Sequence, residues 1–186
     1  MWSKQTLFDA SLRAPLVLCG PGVPVAAIVD APVETLALFA SLARLAGIPS
    51  PPRVGAPLPG LPGGRAPRFA RSLYERRCDA GAPFESDRHA ACRGGWREGV
   101  KALCARSGAA FLRGRTLRSA TRRYVEYATD AGAPAGAALY AYARGGGSSE
   151  AAERVNRARN GTAGRWRARL EASFPAGSPA EGAESE

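Results

Sequence analysis

Between Pro49 and Pro67 the chain reads PSPPRVGAPLPGLPGGRAP, and neither a helix nor a strand can run through it. Each proline fixes φ and removes a backbone donor, and each glycine raises the entropy cost of ordering. The stretch is expected to be a linker that wraps a surface and marks the main boundary. It divides the 186 residues into segments 1–48 and 68–174, with a small, acidic tail over 175–186 that is expected to be disordered. Hydrophobic residues make up 45% of the chain, enough for a real core, but each segment must find cover for its own apolar surface.

In the first segment, Pro15-Leu16-Val17-Leu18-Cys19 is an apolar run stopped by Gly20-Pro21-Gly22, which reads as a buried strand entering a turn. Asp30-Ala31-Pro32-Val33-Glu34 then opens a helix, with Asp30 or a neighbour as cap, Pro32 in the first turn and Glu34 suited to the dipole. Leu36, Leu38, Phe39, Leu42, Leu45 and Ala46 cover much of its circumference, so it should pack against something large. Gly47 and Pro49 end it. A strand and an apolar helix make half of an α/β layer, and alone they cannot bury both faces.

The second segment carries the clearest β signal. Residues 116–119 and 123–127 alternate polar with apolar around Ala120-Thr121-Arg122, as a hairpin would, and Ala138–Tyr142 reads as a third strand. Phe69–Tyr74 is expected to be an edge strand. Tyr124 and Tyr127 are set against Val125, and one face of that strand is expected to be core. Residues 78–110 show no clear period, with a short helix around Trp96–Cys104. After Gly145–Ser149, residues 150–173 read as a helix broken at Gly161 and Gly164, with Val155, Trp166, Leu170 and Phe174 on its apolar side.

Net charge is +10, yet only Lys4 and Lys101 are lysines. The arginines come with many alanines, glycines and prolines, a mix that GC-rich coding also produces. The charge is therefore read as that bias plus a solvated basic surface. No run reaches the roughly 18 apolar residues that span a bilayer. Met1-Trp2-Ser3-Lys4 leads into Asp9 and Arg13 without a signal-peptide core, so a secreted or lysosomal parent would carry its leader further upstream. Cys19, Cys78, Cys92 and Cys104 contain no CxxC, and His89 is the one histidine. One disulfide among the last three is expected in an oxidising compartment. The alternative is a zinc site of Cys78, His89, Cys92 and Cys104. Asn160-Gly161-Thr162 is a candidate glycosylation site.

Read in order, these stretches resemble the sulfatase family, C-terminal part, and within it the iduronate-2-sulfatase group. Trp2-Ser3-Lys4-Gln5-Thr6-Leu7-Phe8-Asp9 and Arg13-Ala14-Pro15-Leu16 are similar to W-x-K-x-(T/S)-x-F-(E/D)…(R/H)-x-P-L, with Pro21-Gly22 at the family's PG loop. Val33–Leu36 and Leu42–Pro49 resemble its V-E-L…L-a-x-L-A-G-l helix, and Pro51-Pro52-Arg53 is similar to iduronate-2-sulfatases in particular. Arg115–Ser119 and Arg123-Tyr124 resemble the S-I-R-T…Y-R-Y strand pair. Leu139-Tyr140 matches the ELYD strand, and Asn156 stands for the asparagine after it. Ala40 replaces the helix proline, Ala138 replaces the glutamate of ELYD, and Ala143-Arg144-Gly145-Gly146 replaces the Asp-Pro turn.

The resemblance implies an α/β fold: the last strand and helix of an alkaline-phosphatase-like sandwich, then a small antiparallel sheet with a C-terminal helix. Residues 1–48 become the incomplete end of the catalytic domain, and 68–174 a C-terminal α+β subdomain. It implies hydrolysis of a sulfate ester on a sulfated carbohydrate such as a glycosaminoglycan end, by a formylglycine hydrate and calcium. Neither the C/S-x-P-x-R nucleophile nor the Asp-His metal ligands are in this chain, so catalysis and calcium are expected of a missing upstream domain and the chain alone is expected to be inactive. Cys19-Gly20-Pro21-Gly22-Val23 is no substitute, because Val23 stands where the arginine belongs, and Cys19 is expected to be buried at a strand end.

Lys4 stands where the family binds sulfate. Arg118 is a candidate for a substrate carboxylate, with pairing across the hairpin as the favoured alternative. His89 is expected to be solvated. A rival of another class is an arginine-rich module for nucleic acid or sulfated polysaccharide, resting on Arg113, Arg115, Arg118, Arg122 and Arg123 with Tyr124. Base stacking needs aromatics interleaved on one exposed face, and that pattern is poor here, so nucleic acid is not the expected partner.

Overall fold

The hairpin read at 116–127 forms the middle of a four-stranded antiparallel sheet. A computed structural model describes residues 7–50, 55–78, 103–142, 156–158 and 162–174. In it β1 (Ala70–Arg77), β2 (Phe111–Arg118), β3 (Arg122–Thr129) and β4 (Pro134–Ala141) lie side by side in chain order. The β2–β3 turn closes where Ser119 N–H donates to Arg122 C=O at 2.8 Å and Arg122 N–H donates to Ser119 Oγ at 3.0 Å. The register then sets Leu117 against Tyr124 and Gly114 against Tyr127. β1 is an edge strand, as expected for Phe69–Tyr74.

Both faces of the sheet are covered, so β3 is buried from Arg123 to Tyr127. On one face, the segment leading into α1 (Asp9–Leu12) presses Leu7 and Phe8 onto Leu112, Val125, Tyr127, Tyr140 and Tyr142. On the other, α3 (Thr162–Ser173) lays Trp166 and Leu170 over Leu117, Tyr124 and Leu139. Tyr127 therefore shares the face of Val125 and Tyr124 takes the opposite one, where the sequence reading set both tyrosines against Val125 and gave the strand one core face. Strict alternation decides it: residues two apart share a face, and both faces here are core. Gly114 is required on the first face. A Cβ there would meet Leu7 Cδ1 at 2.7 Å and Tyr127 Cε1 at 2.8 Å, so only glycine lets the N-terminal segment come this close.

α2 (Leu36–Leu45) starts later than read, with Thr35 as its N-cap and no side-chain cap. Glu34, in place of serving the dipole, takes three hydrogen bonds from Arg71 of β1: from the backbone N–H at 2.9 Å, Nε at 2.7 Å and NH2 at 3.0 Å. The helix ends as expected. Gly47 has φ of 69°, Ile48 N–H donates to Ala43 C=O at 2.8 Å and Gly47 N–H to Arg44 C=O at 3.3 Å, the two bonds of a Schellman cap.

The Pro/Gly stretch does more than wrap a surface. Leu58 and Leu61 are buried, and Leu58 N–H donates to Ser41 Oγ at 2.8 Å, which fixes the loop to α2. The rest of the helix stays uncovered: Leu36, Phe39 and Leu42 are more than half exposed.

Two readings need correction. Pro15–Cys19 forms no strand, Val17 is 86% exposed and Cys19 lies at the surface, because among the described residues nothing pairs with or covers that run. An apolar run becomes a strand only with a ladder partner. Residues 156–158 are not helical; they lie along β4, and α3 begins only at Thr162 and carries Gly164 within it. Near Cys104, residues 103–107 are helical, and 96–102 lie outside the described residues. Val155 and the tail also lie outside them. No helix among the described residues is long and apolar enough to cross a membrane.

Candidate functional site

The N-terminal segment is held to the sheet by one carboxylate. Asp9 is 4% exposed and lies between two arginines from facing ends of the β2–β3 hairpin. Arg118 reaches it in a fork, Nε to Oδ1 at 3.1 Å and NH2 to Oδ2 at 3.0 Å. Arg123, 1% exposed, donates from NH2 to Oδ1, from NH1 to Leu7 C=O at 2.6 Å and from Nε to Tyr142 Oη at 3.2 Å. Arg118 also donates from NH1 to Ser119 C=O and lies over the Tyr142 ring with 3.8 Å from Cζ to the centroid. A buried guanidinium is tolerable only with its charge paired and its donors satisfied, and this cluster meets both conditions.

Arg118 thus pairs with Asp9 and not across the hairpin. Its partner lies 109 residues away, and its register neighbour Arg123 carries the same charge, so the two share one carboxylate. The fold removes Arg118 and Arg123 from any surface module. Arg113 and Arg115 stand on the opposite face of the sheet, and Arg122 is exposed at the hairpin end. Tyr124, Tyr127, Tyr140 and Tyr142 are all buried and give no exposed stacking face.

No protein-family model matches this chain, and no curated protein matches it.

A second carboxylate organises the other face. Glu126 is 5% exposed, and Tyr124 Oη donates to its Oε2 at 2.9 Å, Arg167 Nε of α3 to the same oxygen at 2.7 Å, and Arg115 NH2 to Oε1 at 3.3 Å. Burial, then the hydrogen bond to Glu126, pushes the Tyr124 phenol up to about 12. The bond to Glu126 likewise raises the Arg167 guanidinium above its usual value. The sequence does hold a signal for this cluster. A glutamate among Tyr124, Val125 and Tyr127, in a strand apolar on both faces, must find a cation.

Cys78 and Cys104 are joined in a disulfide, a pair from the three cysteines singled out above, so their sulfurs are not available to the alternative zinc site. The bridge packs beside Leu103 and Tyr74 against the Leu7–Phe8 cluster. Cys19 is a free, exposed thiol. Lys4, His89, Cys92 and Asn160 lie outside the described residues. Asn156 ties its own segment to β4, since Leu139 N–H donates to its Oδ1 at 3.0 Å and its Nδ2 donates to Ala137 C=O at 3.1 Å.

Proposed function

We propose that this chain is the C-terminal part of a sulfatase of the iduronate-2-sulfatase type, a sulfuric ester hydrolase for sulfated sugars, with the nucleophile and calcium supplied by another domain. One observation carries the reading. Phe8-Asp9 and the strand-pair arginines, widely separated stretches that each resemble sulfatase motifs, converge in one buried ion-pair cluster. Leu139 and Asn156, which also resemble family positions, meet by hydrogen bond at β4.

The alkaline-phosphatase-like sandwich belongs to the same proposal. Leu36, Phe39 and Leu42 of α2, with Val17, Val25 and Ile28 nearby in sequence, present the apolar surface that its sheet would cover. The three arginine-paired carboxylates do not fit calcium. Asp9 is held by two arginines, Glu126 by two arginines and a tyrosine, and Glu34 by Arg71. A hard cation would need several free oxygen ligands, so no step through it is assigned to these residues. The role left to this chain is positioning. Arg123 and Asp9 fix Leu7, and Lys4 lies three residues before it, where its ammonium would offset charge on the sulfuryl oxygens.

The test joins the chain to the catalytic domain of an iduronate-2-sulfatase-like enzyme and follows hydrolysis of an aryl sulfate. The chain alone should give no turnover and the joined protein should be active. Lys4→Ala should lower its rate by about 10²–10³-fold, the scale of a lost oxyanion donor. A joined, folded enzyme indifferent to Lys4→Ala would refute the assignment.

A further inference from the structure

α3 ends against the start of β1. Arg71 NH1 donates to Ser173 C=O at 3.0 Å, and its Cζ lies 6.0 Å from the centroid of the Phe174 ring, which packs on the Leu117–Tyr124 cluster. Other carbonyls of that last turn are answered too: Phe174 N–H donates to Leu170 C=O at 3.1 Å, and Ser173 Oγ donates to Arg169 C=O at 2.8 Å. The negative end of the helix dipole is therefore muted where the chain leaves it.

Three exposed arginines stand near that exit. Arg68 and Arg169 both lie over the Phe69 ring, 5.4 and 5.9 Å from Cζ to the centroid, and Arg169 is also 5.3 Å from the Trp166 centroid. Arg165 is exposed one turn earlier on α3. None of the three makes an ion pair among the described residues. The one carboxylate on α3 is Glu171, also exposed. A guanidinium resting on an aromatic ring gives up part of its freedom and keeps its in-plane N–H donors for an anion. The patch is therefore ordered, cationic and unanswered.

The structure describes the chain as far as Phe174, and residues 175–186 follow as PAGSPAEGAESE, with three glutamates and no cation. Pro175 cannot continue the helix, and Gly177-Ser178-Pro179 has the composition of a turn that reverses a chain. The stretch from Phe174 to Glu181 spans up to about 23 Å of chain. Arg165 lies about 14 Å back along the helix from Phe174, so the reach is ample. So short a tether also holds the glutamates at an effective concentration on the order of mM, which populates contacts too weak to form between separate molecules.

We propose that Glu181, Glu184 and Glu186 fold back on Arg68, Arg165 and Arg169, which makes the acidic tail an intramolecular cover for this arginine–aromatic patch. Charge and place select the occupant: the segment that leaves beside three cations carries three acids and no base. A carboxylate accepts from the guanidinium fork while the ring keeps the fork in position. The tail then competes with any outside anion for the same donors. The inference stands apart from the sulfatase reading, since it needs neither an upstream domain nor turnover.

The test puts a nitroxide spin label at Ser185→Cys in the full chain carrying Cys19→Ser/Cys92→Ser, and reads paramagnetic relaxation of backbone amides by NMR. A freely moving tail also brushes its neighbours, so the difference between variants is what counts. Amides of Arg68, Phe69 and Arg165 should relax about threefold or more faster with the native glutamates than in Glu181→Gln/Glu184→Gln/Glu186→Gln, the low end for three exposed ion pairs. Arg68→Ala/Arg169→Ala should give a similar loss, and so should 1 M salt, where the Debye length is about 3 Å. Arg13→Ala/Arg122→Ala removes the same charge from other exposed positions and should change nothing. Unshifted amides in β2 and β3 keep folding apart from tail contact. Equal relaxation with glutamates and glutamines, an equal loss in the Arg13/Arg122 control, or relaxation passing from a spin-labelled chain to a separate isotope-labelled one would each overturn the proposal.

Discussion

Replacing Asp9 with asparagine keeps the size of the side chain and removes a negative charge that Arg118 and Arg123 share. Arg123, 1% exposed, would then keep its buried cation without that carboxylate. Breaking a buried pair by losing one partner costs about 3–5 kcal/mol, because the remaining charge stays desolvated. Against a total of about 5–15 kcal/mol for a domain, that is a large fraction. Two comparisons calibrate it. Arg118→Ala leaves Asp9 paired with Arg123 and should cost about 1.5–3 kcal/mol, the value of hydrogen bonds to a charged group. Arg71→Ala breaks an ion pair whose arginine side chain is 45% exposed, and should cost about 0.2–1 kcal/mol. Urea unfolding followed by tryptophan fluorescence reads all three, since Trp166 is buried in the layer across the sheet from Asp9. The expected order is Asp9→Asn, then Arg118→Ala, then Arg71→Ala. If Asp9→Asn costs no more than Arg71→Ala, the cluster does not hold the N-terminal segment to the sheet.

The Tyr124 phenol, raised from 10.0 to about 12, binds its proton more tightly folded than unfolded, so its stabilisation is complete below pH 10 and falls as pH climbs towards 12. The loss should reach about 2–3 kcal/mol, and Tyr124→Phe should flatten the stability profile in that window alone. Cys78→Ser/Cys104→Ser opens a loop of sequence separation 26 and should cost about 3.5 kcal/mol by chain entropy, measured as a shift in urea midpoint. Unchanged stability would mean the ends of that loop are already held by packing. Amide exchange should be faster across α2, which is fixed by Ser41, Glu34 and the Leu58 loop, than across the central strands β2 and β3. Equal protection in a monomer would show that the open face of α2 is covered in solution.

How far the fold could be read from residues depended on how local the cause was. The β2–β3 hairpin showed in period-two alternation, and the end of α2 in Gly47 and Pro49, because turn and cap chemistry is settled within a few residues. Pro15–Cys19 misled for the opposite reason: apolar content says that a segment wants cover, and the cover is a matter of the rest of the structure. The asparagine at 156 was picked out by resemblance, yet its bonds to Ala137 and Leu139 follow from no local pattern. Arg118 was given a partner across the hairpin because sheet neighbours are what a sequence displays. Its true partner, Asp9, is joined to it by a contact over 109 residues that leaves no trace in either neighbourhood.

Asn156 has one more consequence. Its side-chain amide takes the Leu139 N–H and gives a proton to Ala137 C=O, and Arg157 N–H follows on Leu139 C=O at 2.7 Å. The outward-facing backbone groups in the middle of β4 are therefore already answered by the chain's own return. No peptide or second molecule can extend the sheet there without first evicting this segment, which protects the strand from templated growth into a fibre. Whatever this protein joins at that side must approach through side chains, on one of its faces, and not by adding a fifth strand.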